Sequence, residues 1–228
     1  MDLWALIRGC RFVDLTHTCA PGQPRFPGDP DEQRVQLSTV AADGCAVIQH
    51  TFVGQWGTHV DAPNHFVAGG RSVDAVLVDD MVSPLVVLDF HTEVAANPQF
   101  LLLPEHIFEW ESHHGRIPDG AFVAFRSDWS TRWPDQQAME NGGNCPGWSV
   151  AAIDFLVEHR NIRAIGHETF DTDPSLKAQR AILAHDRWQI ELLTNLDQVP
   201  ETGAIIVASW PKIKEGTGFP ARVFALIA

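Results

Sequence analysis

The sequence of 228 residues has no tyrosine, few basic residues and no long apolar run. Sixteen Lys and Arg stand against 29 Asp and Glu, for a formal charge of -13. Phosphate backbones and anionic membrane surfaces are bound through clustered cations, so neither nucleic acid nor membrane is expected as a partner. No stretch approaches the roughly 20 apolar residues of a membrane span. The opening segment MDLWALIRGCRFVDLTH carries an apolar run shorter than a secretory leader needs and no small-residue cleavage site, so a cytoplasmic protein is expected. Four cysteines, Cys10, Cys19, Cys45 and Cys145, form no C-x-x-C pair, and reduced thiols are the expectation. The missing tyrosine beside eight tryptophans carries no functional reading of its own.

What remains is ordinary for a folded domain: 45% of residues are hydrophobic and 20% charged. The length suits one substantial core, and neither a repeat nor a Ser/Gly-rich linker divides it, so residues 1–228 are read as a single domain. Apolar runs rich in β-branched and aromatic residues predict strands near 11–15, 46–53, 85–90, 121–126, 162–166, 188–193 and 204–209. Helical spacing covers 104–112, 149–160 with Ser149 as N-cap, and 175–186. Strands lead in the first half, and helices alternate with strands in the second. The predicted fold class is α/β, with a mixed central β-sheet flanked by helices.

One segment concentrates chemistry. GQWGTHVDAPNHF, residues 54–66, holds His59, Asp61 and His65, with Gln55 four positions before His59. On an extended chain His59 and Asp61 share a face with Cα atoms about 6.6 Å apart, within reach of one ion. Pro63 ends that strand and favours a turn that swings His65 back toward them. Gln55 would lie about 13 Å from His59 on a straight strand and joins only if the chain bends, which Gly57 permits. Spacing alone serves two structures, a metal site or a hydrogen-bonded His–Asp pair. Gln179 falls on the apolar stripe of the predicted 175–186 helix, where a buried amide needs partners: a backbone bond or an ion. Glu191 lies between apolar Ile190 and Leu192, so its carboxylate faces a site or a buried partner. A metal ligand, an orienting group and a general base are all open to it.

GTHVDAPNHF resembles the H-x-G-T-H-x-D-x-P-x-H-F signature of the cyclase-like metal-dependent hydrolases, which include kynurenine formamidases and isatin hydrolases. DLTHTCAPGQPRFPGDP at 14–30, FVAFRSDWSTRW at 122–133, AIGHETFDTDPS at 164–175, IELLTNLDQVP at 190–200 and GTGFPARVFALIA at 216–228 resemble the family's other blocks. The resemblance implies the swivelling β/β/α type of mixed-sheet fold. It sets His59, Asp61 and His65 in register with the family's second ligand histidine, its carboxylate and its catalytic histidine. Gln55 stands where the first ligand histidine is expected. Counting back twelve residues from Glu191, the family's ligand glutamate, places Gln179 where a later ligand histidine is expected.

A glutamine offers a neutral oxygen, a harder and weaker ligand than imidazole, so the two exchanges argue against a nitrogen-rich zinc pair. The expected cofactor is one divalent ion, Mn²⁺ favoured over Zn²⁺, held by His59, Asp61 and Gln179 with Gln55 or Glu191 nearby. The expected reaction is metal-dependent hydrolysis of a small cyclic amide or lactone by activated water, with His65 and Glu191 as catalytic groups. The alternatives are a dinuclear-zinc arylformamidase acting on N-formylkynurenine and a non-catalytic ligand-binding member of the fold. Phe26, Trp56, Phe66 and His167 are the expected substrate contacts, with Glu168 beside His167 as a further candidate. His113 and His114 are read as an exposed turn. The resemblance also implies a homo-oligomer, a dimer or tetramer.

Overall fold

The computed structural model describes residues 2–228. Its strands are β1 (Arg11–Asp14), β2 (Gln33–Ser38), β3 (Val47–Thr51), β4 (His59–Asp61), β5 (Val82–Asp89), β6 (Leu101–Leu102), β7 (Phe122–Arg126), β8 (Gly147–Trp148), β9 (Ala164–His167), β10 (Trp188–Glu191), β11 (Ala204–Ser209), β12 (Gly218–Pro220) and β13 (Arg222–Ile227). The helices are α1 (Leu3–Gly9), α2 (Val40–Asp43), α3 (His91–Ala96), α4 (Pro104–His114), α5 (Gln136–Glu140), α6 (Val150–Arg160) and α7 (Lys177–Ala184). A nine-stranded sheet runs in the order β1-β13-β11-β5-β7-β9-β10-β4-β12. Its centre, β5-β7-β9-β10, is parallel, and antiparallel pairs extend it on both sides. The predicted mixed sheet is therefore present.

Strict alternation divides this sheet into two faces. Leu85 and Val87 of β5, Phe122 and Ala124 of β7, and Trp188 and Ile190 of β10 enter one core. Val13 near one edge and Val60 near the other enter the same cluster, so the sheet curls around it. Val86, Leu88, Val123, Phe125 and Ile165 point the other way, onto Ile107 and Trp110 of α4, Ile153 and Leu156 of α6, and Ile182 and Leu183 of α7. Strands buried on both faces read as continuous apolar runs, which is why β5 and β7 were legible. Ser149 caps α6 by accepting the Ala152 N–H, as its position predicts.

Two expectations change. The 46–53 run forms β3, but among the described residues it pairs only with β2, in a separate arm whose side chains are nearly all exposed. An isolated pair has no second layer to cover it, and sequence period alone does not reveal that. His113 and His114 close the last turn of α4, not a loop, and His114 stacks on Trp110 at 4.7 Å.

Candidate metal centre and active site

The site grows from the same alternation. In β4 Val60 faces the curled core, so His59 and Asp61 face the helices; in β10 Trp188 and Ile190 face the core, so Gln189 and Glu191 face the helices. Antiparallel pairing sets Gln189 opposite Asp61 and Glu191 opposite His59. Four polar side chains thus form a square on one patch of sheet, and α7 lays the buried Gln179 over it. Gly57 adopts φ +63°, and the bend it makes brings the Gln55 Nε2 to 3.2 Å from Asp61 Oδ1.

The donor set tests itself against a cation. His59 donates Nδ1–H to the Gly57 carbonyl at 2.7 Å, which leaves Nε2 as a bare acceptor. That lone pair lies 3.3 Å from Glu191 Oε2 and 3.6 Å from Asp61 Oδ1. His59 Nε2 and Gln179 Oε1 are both buried without a hydrogen-bond partner. Burial holds the His59 imidazole neutral, its pKa pushed down. Burial first, then the Asp61 and Asp171 charges, raises the Glu191 carboxyl well above the carboxylate range. Ligating atoms of His59, Asp61 and Glu191 lie within 4.8 Å of one another. Buried acceptors crowded together are satisfied by a cation, and these residues fit one.

Asp61 is the hub. Its Oδ1 accepts from Gln55, and its Oδ2 accepts from Gln179 at 3.2 Å and Gln189 at 3.1 Å. Gln189 is a site residue that the sequence reading did not single out; its signal was position, two residues before Glu191 and hence on the same face.

A cavity of about 350 Å³ opens above the centre, lined by Phe26, Phe66, Phe170 and Leu176 together with His59 and His65. His65 ends a short 3₁₀ turn begun by Pro63, and its side chain is 29% exposed. Its Nε2 stands 4.0 Å from Asp61 Oδ1. Asp171 lines this cavity and an adjoining one of about 250 Å³. Burial and then the Asp61 and Asp173 charges raise its carboxyl to about 7.

Two expected substrate contacts lie elsewhere. Trp56 is 1% exposed and outside the cavity lining, because it follows Gln55 directly and turns inward where Gln55 turns to the centre. His167, also 1% exposed, ends β9 behind Glu191, with its Nε2 3.5 Å from Oε1. Glu168 is buried beside it and accepts from the Ser127 N–H and from the Ser127 and Ser130 hydroxyls, fastening the loop after β7.

A buried cluster of carboxylates and imidazole that can hold a cation, beside a histidine that solvent reaches, suits hydrolysis. Comparison with known proteins identifies which kind: residues 13–174 match the family described as putative cyclase, and the chain belongs to that family. It is 35% identical to isatin hydrolase of Roseibium aggregatum, over 94% of this chain and 91% of the relative. It is 26% identical to kynurenine formamidase of Bordetella pertussis, over 93% of this chain and 96% of the relative. The solved structure of isatin hydrolase A from Labrenzia aggregata bound to benzyl benzoate superposes with a TM-score of 0.92 at 36% identity, covering 100% of this chain and 99% of that one.

Proposed function

We propose that the protein is a metal-dependent hydrolase that opens or cleaves a small cyclic amide or lactone, as its isatin hydrolase relatives suggest. The observation that carries this reading is the convergence of His59 Nε2, Gln179 Oε1 and the Asp61 and Glu191 carboxylates, all acceptors, beneath one cavity. His59, Asp61 and Gln179 would hold one ion, with Glu191 close enough to join them and Gln55 steadying Asp61. One imidazole nitrogen among oxygen donors favours Mn²⁺ over Zn²⁺. When bound, the ion supplies Lewis acidity that activates water near neutral pH and polarises the substrate carbonyl.

The chain's own residues do the rest. Gly57 fixes the tautomer of His59, and three amide N–H groups orient the Asp61 carboxylate. Phe26, Phe66 and Phe170 offer apolar walls for a ring. His65 takes the proton released when water adds to the carbonyl carbon and returns it to the departing nitrogen or oxygen. Ring opening gives one molecule that carries both a carboxylate and an amine or hydroxyl group.

The arylformamidase reading draws on the kynurenine formamidase relatives, but Gln55 and Gln179 replace the imidazoles a second zinc would need. A homo-oligomer is supported by the exposed arm, where Val35, Leu37, Val47 and Ile48 are each more than two-fifths exposed, and by Leu3, Trp4 and Leu6 of α1. Among the described residues no helix is long and apolar enough to cross a membrane. All four cysteines are free, which suits a reducing compartment such as the cytoplasm.

The test is chelator-stripped protein reloaded with Mn²⁺ or Zn²⁺ and assayed on lactams, lactones and formanilides. Ring opening with Mn²⁺ supports the reading. No turnover with any metal, together with stabilisation by a ligand, would favour the binding-protein alternative.

A further inference from the structure

Gln189 is 0% exposed, and its amide ties the centre to a buried hydroxyl. Its Nε2 donates to Asp61 Oδ2 at 3.1 Å and to Glu191 Oε1 at 2.8 Å. Its Oε1 accepts the Thr172 hydroxyl at 2.6 Å, and Thr172 is also fully buried. The reverse amide orientation would aim an oxygen at two carboxylates, so the arrangement has a single favourable sense. Occupying Oε1 of Glu191 leaves Oε2 turned to the bare His59 Nε2 at 3.3 Å. The amide is neutral, so it spaces the two carboxylates without cancelling the charge that a divalent cation would balance. An apolar residue of the same size would leave the carboxylates without that tie, and a cationic one would fill the place of the metal.

We propose that Gln189, aligned by Thr172, is a positioning residue that sets the separation and orientation of Asp61 and Glu191 and thereby the affinity for a divalent cation. The inference rests on the proposed metal-binding reading. Residues that orient metal ligands typically contribute about 10- to 100-fold in affinity.

The experiment titrates Mn²⁺ into chelator-stripped wild type, Gln189→Met, Thr172→Val and Thr172→Ser, with the melting curve of each metal-free protein recorded alongside. The expected result is a Kd raised about 10- to 100-fold in Gln189→Met, a smaller rise in Thr172→Val, and recovery in Thr172→Ser, with melting still cooperative. Should Gln189→Met fail to fold, the threonine pair decides by itself. Wild-type affinity in a folded Gln189→Met, or in Thr172→Val where Gln189→Met does not fold, overturns the role of Gln189 while leaving the metal centre standing. A wild type that binds no Mn²⁺ overturns the metal reading and this inference with it.

Discussion

Replacing His65 with alanine separates chemistry from architecture more cleanly than any other change at this site. The side chain is 29% exposed, 4.0 Å from the nearest Asp61 oxygen, and packs edge-on against Phe66 with ring centroids 4.7 Å apart. Among the described residues no hydrogen bond passes through its ring, so the structural cost is small, within about 0.5 to 1 kcal/mol. If His65 carries protons, its loss should slow turnover about 10²- to 10⁴-fold. At about 1.4 kcal/mol per decade, that equals about 3 to 5.5 kcal/mol of lost transition-state stabilisation. The assay is steady-state ring opening of a lactam or lactone, with metal content and melting temperature measured on the same preparation. The expected outcome is a collapse of kcat with metal and stability nearly unchanged, and partial rescue by added imidazole. A kcat within threefold of wild type refutes the proton-transfer role. Metal lost along with activity instead makes His65 a ligand.

Other positions give independent checks. A Cβ on Gly218 would collide with the Gln55 side-chain nitrogen and come within 2.6 Å of the Val60 carbonyl oxygen. Gly218→Ala should therefore cost about 1 to 3 kcal/mol by urea titration and weaken metal binding, since Gln55 is driven off Asp61; unchanged values for both would show that this contact does not matter. His17 is buried, stacks on Trp133 at 4.2 Å, and leaves Nε2 without a partner. Burial lowers its pKa to about 4. A pKa depressed below the unfolded value contributes stability that is present above pH ~6.5 and lost as pH falls through the folded value of about 4. The loss is on the order of 2 to 3 kcal/mol. His17→Phe should flatten this acid limb of the urea-midpoint curve, and an unchanged slope would contradict it.

How much of this was legible in the sequence follows from the range of each interaction. His59 and Asp61 announce themselves because a strand repeats every two residues, and Gly57 because a bend needs φ above zero. The same period marks Gln189 beside Glu191, but its meaning depends on register with β4, set by a partner strand 128 residues away. Asp171 joins the cavity through a loop, where no periodicity reports direction. Trp56 and His167 were misplaced for a related reason: aromatic and imidazole rings serve cores and pockets alike, and only tertiary packing separates the two. The 46–53 run reads like interior strand because its apolar content is real, but among the described residues no layer covers the arm it forms.

The central claim is one divalent ion per chain at the His59, Asp61, Gln179 and Glu191 cluster. It is tested most directly by counting metal in protein purified without added ions and after reconstitution, using elemental mass spectrometry alongside turnover. One ion per chain is expected, with activity restored better by Mn²⁺ than by Zn²⁺. Two tightly held zinc ions per chain, or full activity in metal-free protein, would contradict it.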